Sequence, residues 1–101
     1  ACLAVVRGLA EELAPAGVQV NAVNPGPTRT GRWTAQMAGL AAASGRSAEA
    51  VEDEFRATIP LGRLSEPEDV ARLIAVLASE VSGTTTGTSL TIDGGMTKAI
   101  A

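Results

Sequence analysis

The chain has 101 residues, of which 46% are hydrophobic and 19% charged, and its formal net charge is −3 with a pI near 4.8. This composition excludes an intrinsically disordered chain, and the acidic balance argues against a nucleic-acid surface, which needs clustered Lys and Arg. No apolar run approaches the roughly 18–20 residues of a membrane-spanning helix, so we expect one small domain without a membrane partner.

The residue types also limit the chemistry. The sequence has one cysteine, Cys2, and neither histidine nor tyrosine. Without a second cysteine or a histidine, we expect no internal disulfide and no metal site of the zinc type. We expect Cys2 to be a small buried thiol in a cytoplasmic protein, because reducing compartments keep thiols free.

The first predicted element is a helix from the start of the chain to about Ala14, with Gly17 near its C-cap position. Leu3, Val6 and Ala10 recur at helical spacing. No capping side chain and no initiator methionine precede this pattern. We therefore expect the chain to begin inside a helix and to be the C-terminal fragment of a longer protein.

A valine-rich strand is predicted over residues 18–23, where apolar residues alternate. It leads to Pro-Gly-Pro-Thr-Arg-Thr, residues 25–30, which we call the strand-end turn. Ligands of open α/β sheets bind beyond the carboxyl ends of the strands. The strand-end turn offers backbone N–H groups and hydroxyls but no good general base, which predicts binding rather than catalysis. Asn21 and Asn24 are expected to hydrogen-bond loop backbone.

Residues 31–58, called the insert from here on, are predicted to form two helices over 31–43 and 48–57, with Ser47 capping the second. A segment of this kind can act as a lid over a substrate. Trp33 and Met37 are four residues apart and share a helix face. They either pack the insert onto the body of the protein or form a hydrophobic wall over the substrate.

The charged residues in this region are expected to be solvated. For Arg29 and Arg32, the alternative is contact with a phosphate or an acidic substrate. The acidic run of the insert is expected to be a solvated helix face rather than a pair of catalytic carboxylates; it comprises Glu49, Glu52, Asp53 and Glu54.

A fourth helix is predicted after Ser65, with Ser65 as N-cap, Pro67 in the first turn and Glu68 completing a capping box. A second strand follows over residues 89–92, and residues 93–95 end it. Because helices separate the two strands, we expect them to pair in parallel. The first strand should have a further neighbour outside this chain, since a doubly wound sheet normally has more than two strands.

Three segments in this order resemble the C-terminal part of the short-chain dehydrogenases/reductases: residues 9–26 with the Pro-Gly motif, residues 59–71 and residues 86–95. The resemblance implies an α/β fold, namely the C-terminal portion of a Rossmann-type doubly wound parallel sheet spanning residues 1–101. It also implies an oxidoreductase that transfers a hydride between NAD or NADP and a small carbonyl or secondary-alcohol substrate, for example a 3-oxoacyl compound.

The resemblance further implies roles for residues of the strand-end turn. Pro25 and Gly26 would pack beside the nicotinamide ring. The backbone of Thr28 would meet the carboxamide, and Thr30 would help to hold the amide and pyrophosphate end. Members of the family usually associate as homodimers or homotetramers, through elements matching the first helix, the helix after Ser65 and the last strand.

The catalytic Ser, Tyr and Lys of the family have no match in this sequence. Tyrosine is absent, and the only lysine, Lys98, lies at the wrong end of the chain. We therefore assign no catalytic residue and expect this chain alone to be inactive. The alternative is a non-catalytic oligomerisation module derived from the same family. A Tyr and a Lys four residues apart just before Ala1 would favour the enzyme.

Overall fold

The computed structural model describes residues 2–97; Ala1 and residues 98–101, including Lys98 of the predicted tail, lie outside the described residues. The described part of the chain alternates helices and strands as predicted. In chain order its elements are α1 (Cys2–Leu13), a 3-10 turn (Ala14–Ala16), β1 (Ala22–Pro25), α2 (Gly31–Ser44), α3 (Ala48–Arg56), α4 (Pro67–Leu77), a second 3-10 turn (Glu80–Ser82) and β2 (Ser89–Ile92).

The two strands pair in parallel, which confirms the expected pairing. Ala22 lies opposite Ser89 and Pro25 lies opposite Ile92. Helices α2, α3 and α4 all lie in the connection between the strands. Since parallel strands point the same way, the chain segments that follow β1 and β2 leave the sheet at the same edge.

The bounds predicted for the first strand were wrong, because β1 begins at Ala22 instead of Val18. Residues 19–21 bind a distant loop through hydrogen bonds that involve side chains: Gln19 and Asn21 use their own, and Val20 N donates to the Thr86 hydroxyl, so these residues do not form a regular ladder. The Gln19 side-chain amide donates to the carbonyls of Ser82 and Thr85. Asn21 Oδ1 accepts from the backbone N–H of Thr88 at 3.1 Å, which confirms the role expected for this asparagine.

Two helix boundaries agree with the sequence patterns, and one does not. Gly17 is left-handed with φ 75° after the first helix, and the Ser47 hydroxyl caps α3 by accepting from Ala50 N at 3.1 Å. The N-cap of α4 is Glu66 instead of the predicted Ser65, and the Glu66 N–H donates to the Asp69 carboxylate at 2.8 Å. The capping box is shifted by one residue because the Ser65 backbone pairs with the strand-end turn.

The largest buried cluster belongs to the insert and the loop that follows it. Trp33, Met37 and Ala41 recur every four residues along α2 and pack with Val51 of α3. Ile59 and Leu64 complete the cluster, and Met96 packs against it. The insert therefore shares its core with the loop that follows it.

The apolar faces of α1 and α4 are exposed within the described part of the chain. Ala10 is the only buried residue of α1, and Ile74 of α4 is half exposed. The expectation that Cys2 is buried was wrong, because its thiol lies on the exposed first turn of α1. The radius of gyration is 17.1 Å, whereas a compact domain of this length has about 13 Å.

From this exposure we expect the isolated 101-residue chain to lack a cooperative thermal transition. Circular dichroism during heating would test this, because an elongated chain with a two-stranded sheet buries too little surface for a sharp transition. A single sharp unfolding transition of a purified monomer would contradict the prediction.

Candidate functional site

The strand-end turn contacts the turn that follows β2 through closely spaced backbone. Gly26 N donates to the carbonyl of Ile92 at 2.8 Å. A Cβ atom at Gly26 would lie 2.5 Å from the Cβ of Asp93 and 2.9 Å from its Cα. Only glycine fits this approach without a backbone shift, so Gly26 has a structural requirement independent of any ligand.

A second backbone contact, an isolated parallel bridge between Thr28 and Ser65, holds the strand-end turn against the segment that precedes α4. Arg29 N donates to the Ser65 carbonyl at 2.8 Å, and Ser65 N donates to the Pro27 carbonyl at 3.2 Å. In such a bridge the flanking residues make the hydrogen bonds, and successive peptide groups of an extended chain point in opposite directions. The N–H and C=O of Thr28 therefore point away from Ser65.

The two threonine hydroxyls of the turn make local hydrogen bonds. Thr28 Oγ1 donates to the Gly26 carbonyl at 2.9 Å. Thr30 is the N-cap of α2, and its hydroxyl oxygen accepts from Trp33 N at 3.3 Å. A hydroxyl that accepts one bond still has a proton to donate, so Thr30 retains a donor for a ligand.

The turn after β2 is held by hydrogen bonds to one carboxylate. Asp93 accepts from the backbone N–H groups of Gly95 at 2.9 Å and Thr97 at 2.8 Å. Hydrogen bonding from Thr97, followed by that from Gly95, holds the pKa of Asp93 below its ordinary value. The Gly94 carbonyl accepts from Leu61 N at 2.9 Å. These contacts give Asp93 a structural role at the end of the strand.

Two cavities flank this region. A cavity of about 650 Å³ is lined by residues of β2 and α4, among them Ile92 and Leu73, and none of the predicted site residues lines it. A smaller cleft of about 190 Å³ lies beside the strand-end turn and is lined partly by Arg29, Trp33 and Met37. Arg29 is the only residue of the strand-end turn that lines this cleft, and Pro25, Gly26, Thr28 and Thr30 line neither cavity.

The side chains of Trp33 and Met37 are buried, with 9% and 3% of their residue surface exposed. The Trp33 ring packs edge-on against Phe55, with ring centroids 5.5 Å apart. Both residues pack with Val51 of the insert and with Ile59 and Leu64 of the loop after it. Their contact with a substrate stays a prediction.

The sequence patterns missed a cluster around Glu52. Its carboxylate accepts from Arg29 at 2.7 and 3.3 Å, from the Trp33 indole N–H at 3.0 Å and from Arg56 at 2.9 Å. The Glu52 side chain is only 17% exposed, so the predicted solvated face was wrong for this residue. The four-residue spacing from Glu52 to Arg56 was the one sequence pattern that could have predicted part of this cluster.

The charges of this cluster stabilise each other. The Trp33 hydrogen bond, followed by that of Arg29, holds the pKa of Glu52 below its ordinary value of 4.5. The hydrogen bond to Glu52 raises the pKa of Arg29. Arg29 also contacts the Glu66 carboxylate at 3.2 Å, so it joins the turn to both α3 and the start of α4.

The comparisons with known proteins place this geometry in a family. A family model described as enoyl-(acyl carrier protein) reductase matches residues 1–97. A crystal structure of a short chain dehydrogenase family protein from Francisella tularensis superposes with a TM-score of 0.89 at 29% identity, covering 94% of this chain and 39% of that one. The chain belongs to the short-chain dehydrogenase/reductase family. This confirms the resemblance and the Rossmann-type α/β fold.

Two other members of the short-chain dehydrogenase/reductase family have named activities. L-2,3-butanediol dehydrogenase of Corynebacterium glutamicum is 46% identical over 95 residues, which are 90% of this chain and 37% of the relative. L-sorbose reductase of Gluconobacter frateurii, solved with NADPH and L-sorbose, superposes with a TM-score of 0.89 at 26% identity, over 97% of this chain and 38% of that one. The chain thus spans about a third of the length of the relatives that it matches.

Two other kinds of site are absent from residues 2–97. Within that range, no helix is both long and apolar enough to cross a membrane. The same residues contain no group of three or more His, Cys, Asp or Glu side chains that could hold a metal ion.

Substitution of Gly26 by alanine should destabilise the full-length natural protein by about 1–3 kcal/mol, because the added methyl group overlaps the Asp93 backbone. Urea denaturation measures the change. Gly31→Ala is the matched control, since a Cβ there meets nothing within 4 Å. Equal stability of the two variants would contradict the close approach.

The contribution of Glu52 to stability should depend on pH. Its pKa is lowered on folding, so the contribution is fully present above the unfolded value near 4.5 and is lost as the pH falls through the folded value. In urea denaturation the difference in unfolding free energy between wild type and Glu52→Gln should shrink as the pH falls below about 4.5. The control Glu54→Gln changes a carboxylate whose side chain is 66% exposed, and it should show little difference at any pH.

Proposed function

We propose that the chain is the C-terminal part of an NAD(P)-dependent oxidoreductase, whose parent enzyme transfers a hydride between the nicotinamide and a carbonyl or secondary-alcohol carbon. The family membership supports this, as do the names of the butanediol dehydrogenase and of the L-sorbose reductase solved with NADPH. The observation that carries the proposal is the position of the strand-end turn, beyond the carboxyl ends of two parallel strands.

The donor and acceptor groups of the turn suit a nicotinamide carboxamide. An amide offers N–H donors and a carbonyl acceptor, and the N–H and C=O of Thr28, which point away from Ser65, provide the complementary pair. When bound, the nicotinamide would supply or accept the hydride. Pro25 and Gly26 would lie against the nicotinamide ring, and the Thr30 hydroxyl would donate to the amide and pyrophosphate end of the cofactor.

The substrate side is proposed to be the insert. Trp33 and Met37 line the cleft beside the turn, and the helices of the insert pack on each other through a buried core, so the insert can act as a preformed wall or lid. The acceptor is proposed to be a small carbonyl compound or secondary alcohol, such as a 3-oxoacyl derivative. The cleft is lined by apolar and charged groups, which leaves the substrate class open to a panel of compounds.

The acid–base groups are proposed to lie outside this chain. Reduction places a hydride on the carbonyl carbon and a proton on its oxygen, and the sequence contains no tyrosine to hold that proton. We expect the remainder of the parent protein to supply it, so the 101-residue chain alone should be inactive.

The exposed apolar faces of α1 and α4 support the proposed homodimer or homotetramer of the parent. Val5 is 61% exposed and Ile74 is 50% exposed within the described residues. Such faces are buried in protein–protein interfaces. The single cysteine supports the proposed cytoplasmic location.

The full-length natural protein should oxidise NADH or NADPH with at least one member of a panel of ketones, oxoacyl thioesters and aldehydes. Thr28→Pro removes a backbone N–H and should weaken NAD(P)H binding about tenfold, the usual effect of losing one well-made hydrogen bond. NAD(P)H fluorescence titration measures the dissociation constant.

Thr28→Val keeps the backbone groups and should leave that constant within about twofold. Failure of the wild-type protein to bind either cofactor would overturn the proposal and favour the non-catalytic oligomerisation module. Equal weakening by both variants would contradict the backbone role of Thr28.

A further inference from the structure

Glu52 connects three separate segments of the site. Its carboxylate binds Arg29 of the strand-end turn, Trp33 of the first turn of α2 and Arg56 of its own helix. Arg29 approaches it through both terminal nitrogens, at 2.7 and 3.3 Å. A bidentate pair restricts the relative orientation of its two partners more than a single contact does.

Burial distinguishes Glu52 from its neighbours on α3. The Glu52 side chain is 17% exposed, whereas those of Asp53 and Glu54 are 67% and 66% exposed. Exposed ion pairs contribute little to a structure, because water competes for both charges. Glu52 is the carboxylate of this acidic run whose contacts can hold one element against another.

The strand-end turn does not need Glu52 to keep its own conformation. Backbone hydrogen bonds join it to Ser65 and Ile92. The insert is held by the packing of Trp33, Met37 and Val51, in a core that it shares with the loop after it. The carboxylate therefore adds a contact between two units that are each held by other contacts. Together with the Thr30 cap of α2, this contact restricts their relative position.

These contacts also occupy Arg29. Its Nη1 and Nη2 bind Glu52, and its Nε binds Glu66 at 3.2 Å. A guanidinium directed at two carboxylates is a poor site for a phosphate or an acidic substrate. Arg29 thus has a structural partner in place of the anionic ligand that the sequence left open.

We propose that Glu52 is a positioning residue, which sets where the insert lies relative to the strand-end turn and thereby controls substrate binding more than cofactor binding. This inference rests on the proposed function. Loss of the contacts that Glu52 makes with Arg29 and Trp33 should shift the insert and weaken substrate binding, while the backbone groups of Thr28 keep their position.

The test uses the full-length natural protein with Glu52→Gln and the matched control Glu54→Gln. For Glu52→Gln we expect the substrate KM to rise about 5- to 10-fold, with kcat and the NAD(P)H dissociation constant within about threefold. Hydrogen exchange of peptides from residues 31–58 should become faster, while exchange of peptides from α4 stays unchanged. For Glu54→Gln all these quantities should stay at wild-type values.

A second variant, Arg29→Lys, keeps the positive charge but loses the bidentate geometry, so it should raise KM in the same direction even if Glu52→Gln fails to fold. Wild-type KM and wild-type exchange of the insert in both Glu52→Gln and Arg29→Lys would overturn the proposal. If the wild-type protein shows no oxidoreductase activity, the proposed function fails. The exchange comparison then still decides the role of Glu52: faster exchange supports it, and unchanged exchange refutes it.

Discussion

The site depends on the close backbone contact where the two parallel strands end. The hydrogen bond from Gly26 to Ile92 and the absence of space for a Cβ beside Asp93 bring the two following turns together at one edge of the sheet. Once this contact is made, the bridge to Ser65 determines which way the remaining peptide groups of the strand-end turn point. The proposed carboxamide contact of Thr28 follows from that direction.

Backbone and side-chain contacts serve different parts of the site. The strand-end turn is held by main-chain hydrogen bonds, which almost any side chain would permit except at Gly26. The insert is joined to that turn by the Thr30 cap of α2 and by the ion pair between Glu52 and Arg29. Substitutions in the insert can therefore change its position while the cofactor side of the site keeps its geometry, an arrangement suited to a family whose named members act on different substrates.

The packing of the chain explains why its apolar residues are so unevenly buried. The insert and the loop after it bury Trp33, Met37 and Val51, whereas α4 has no buried residue among its apolar stripe. A helix with an amphipathic pattern but an exposed apolar face has its packing partner elsewhere, which agrees with the proposed assembly of a longer parent protein.

The sequence by itself determined the element order, the caps at Gly17 and Ser47, the parallel pairing and the family, because these depend on local spacing and on short motifs. Only the tertiary structure decided where β1 begins, which residue caps α4, that Cys2 is exposed and that Glu52 is a partly buried ion-pair centre. The shifted strand reflects Gln19 bonding 63 residues away, and the shifted cap reflects Ser65 pairing with the strand-end turn. Such contacts join residues that are distant in the chain, and local patterns contain no information about them.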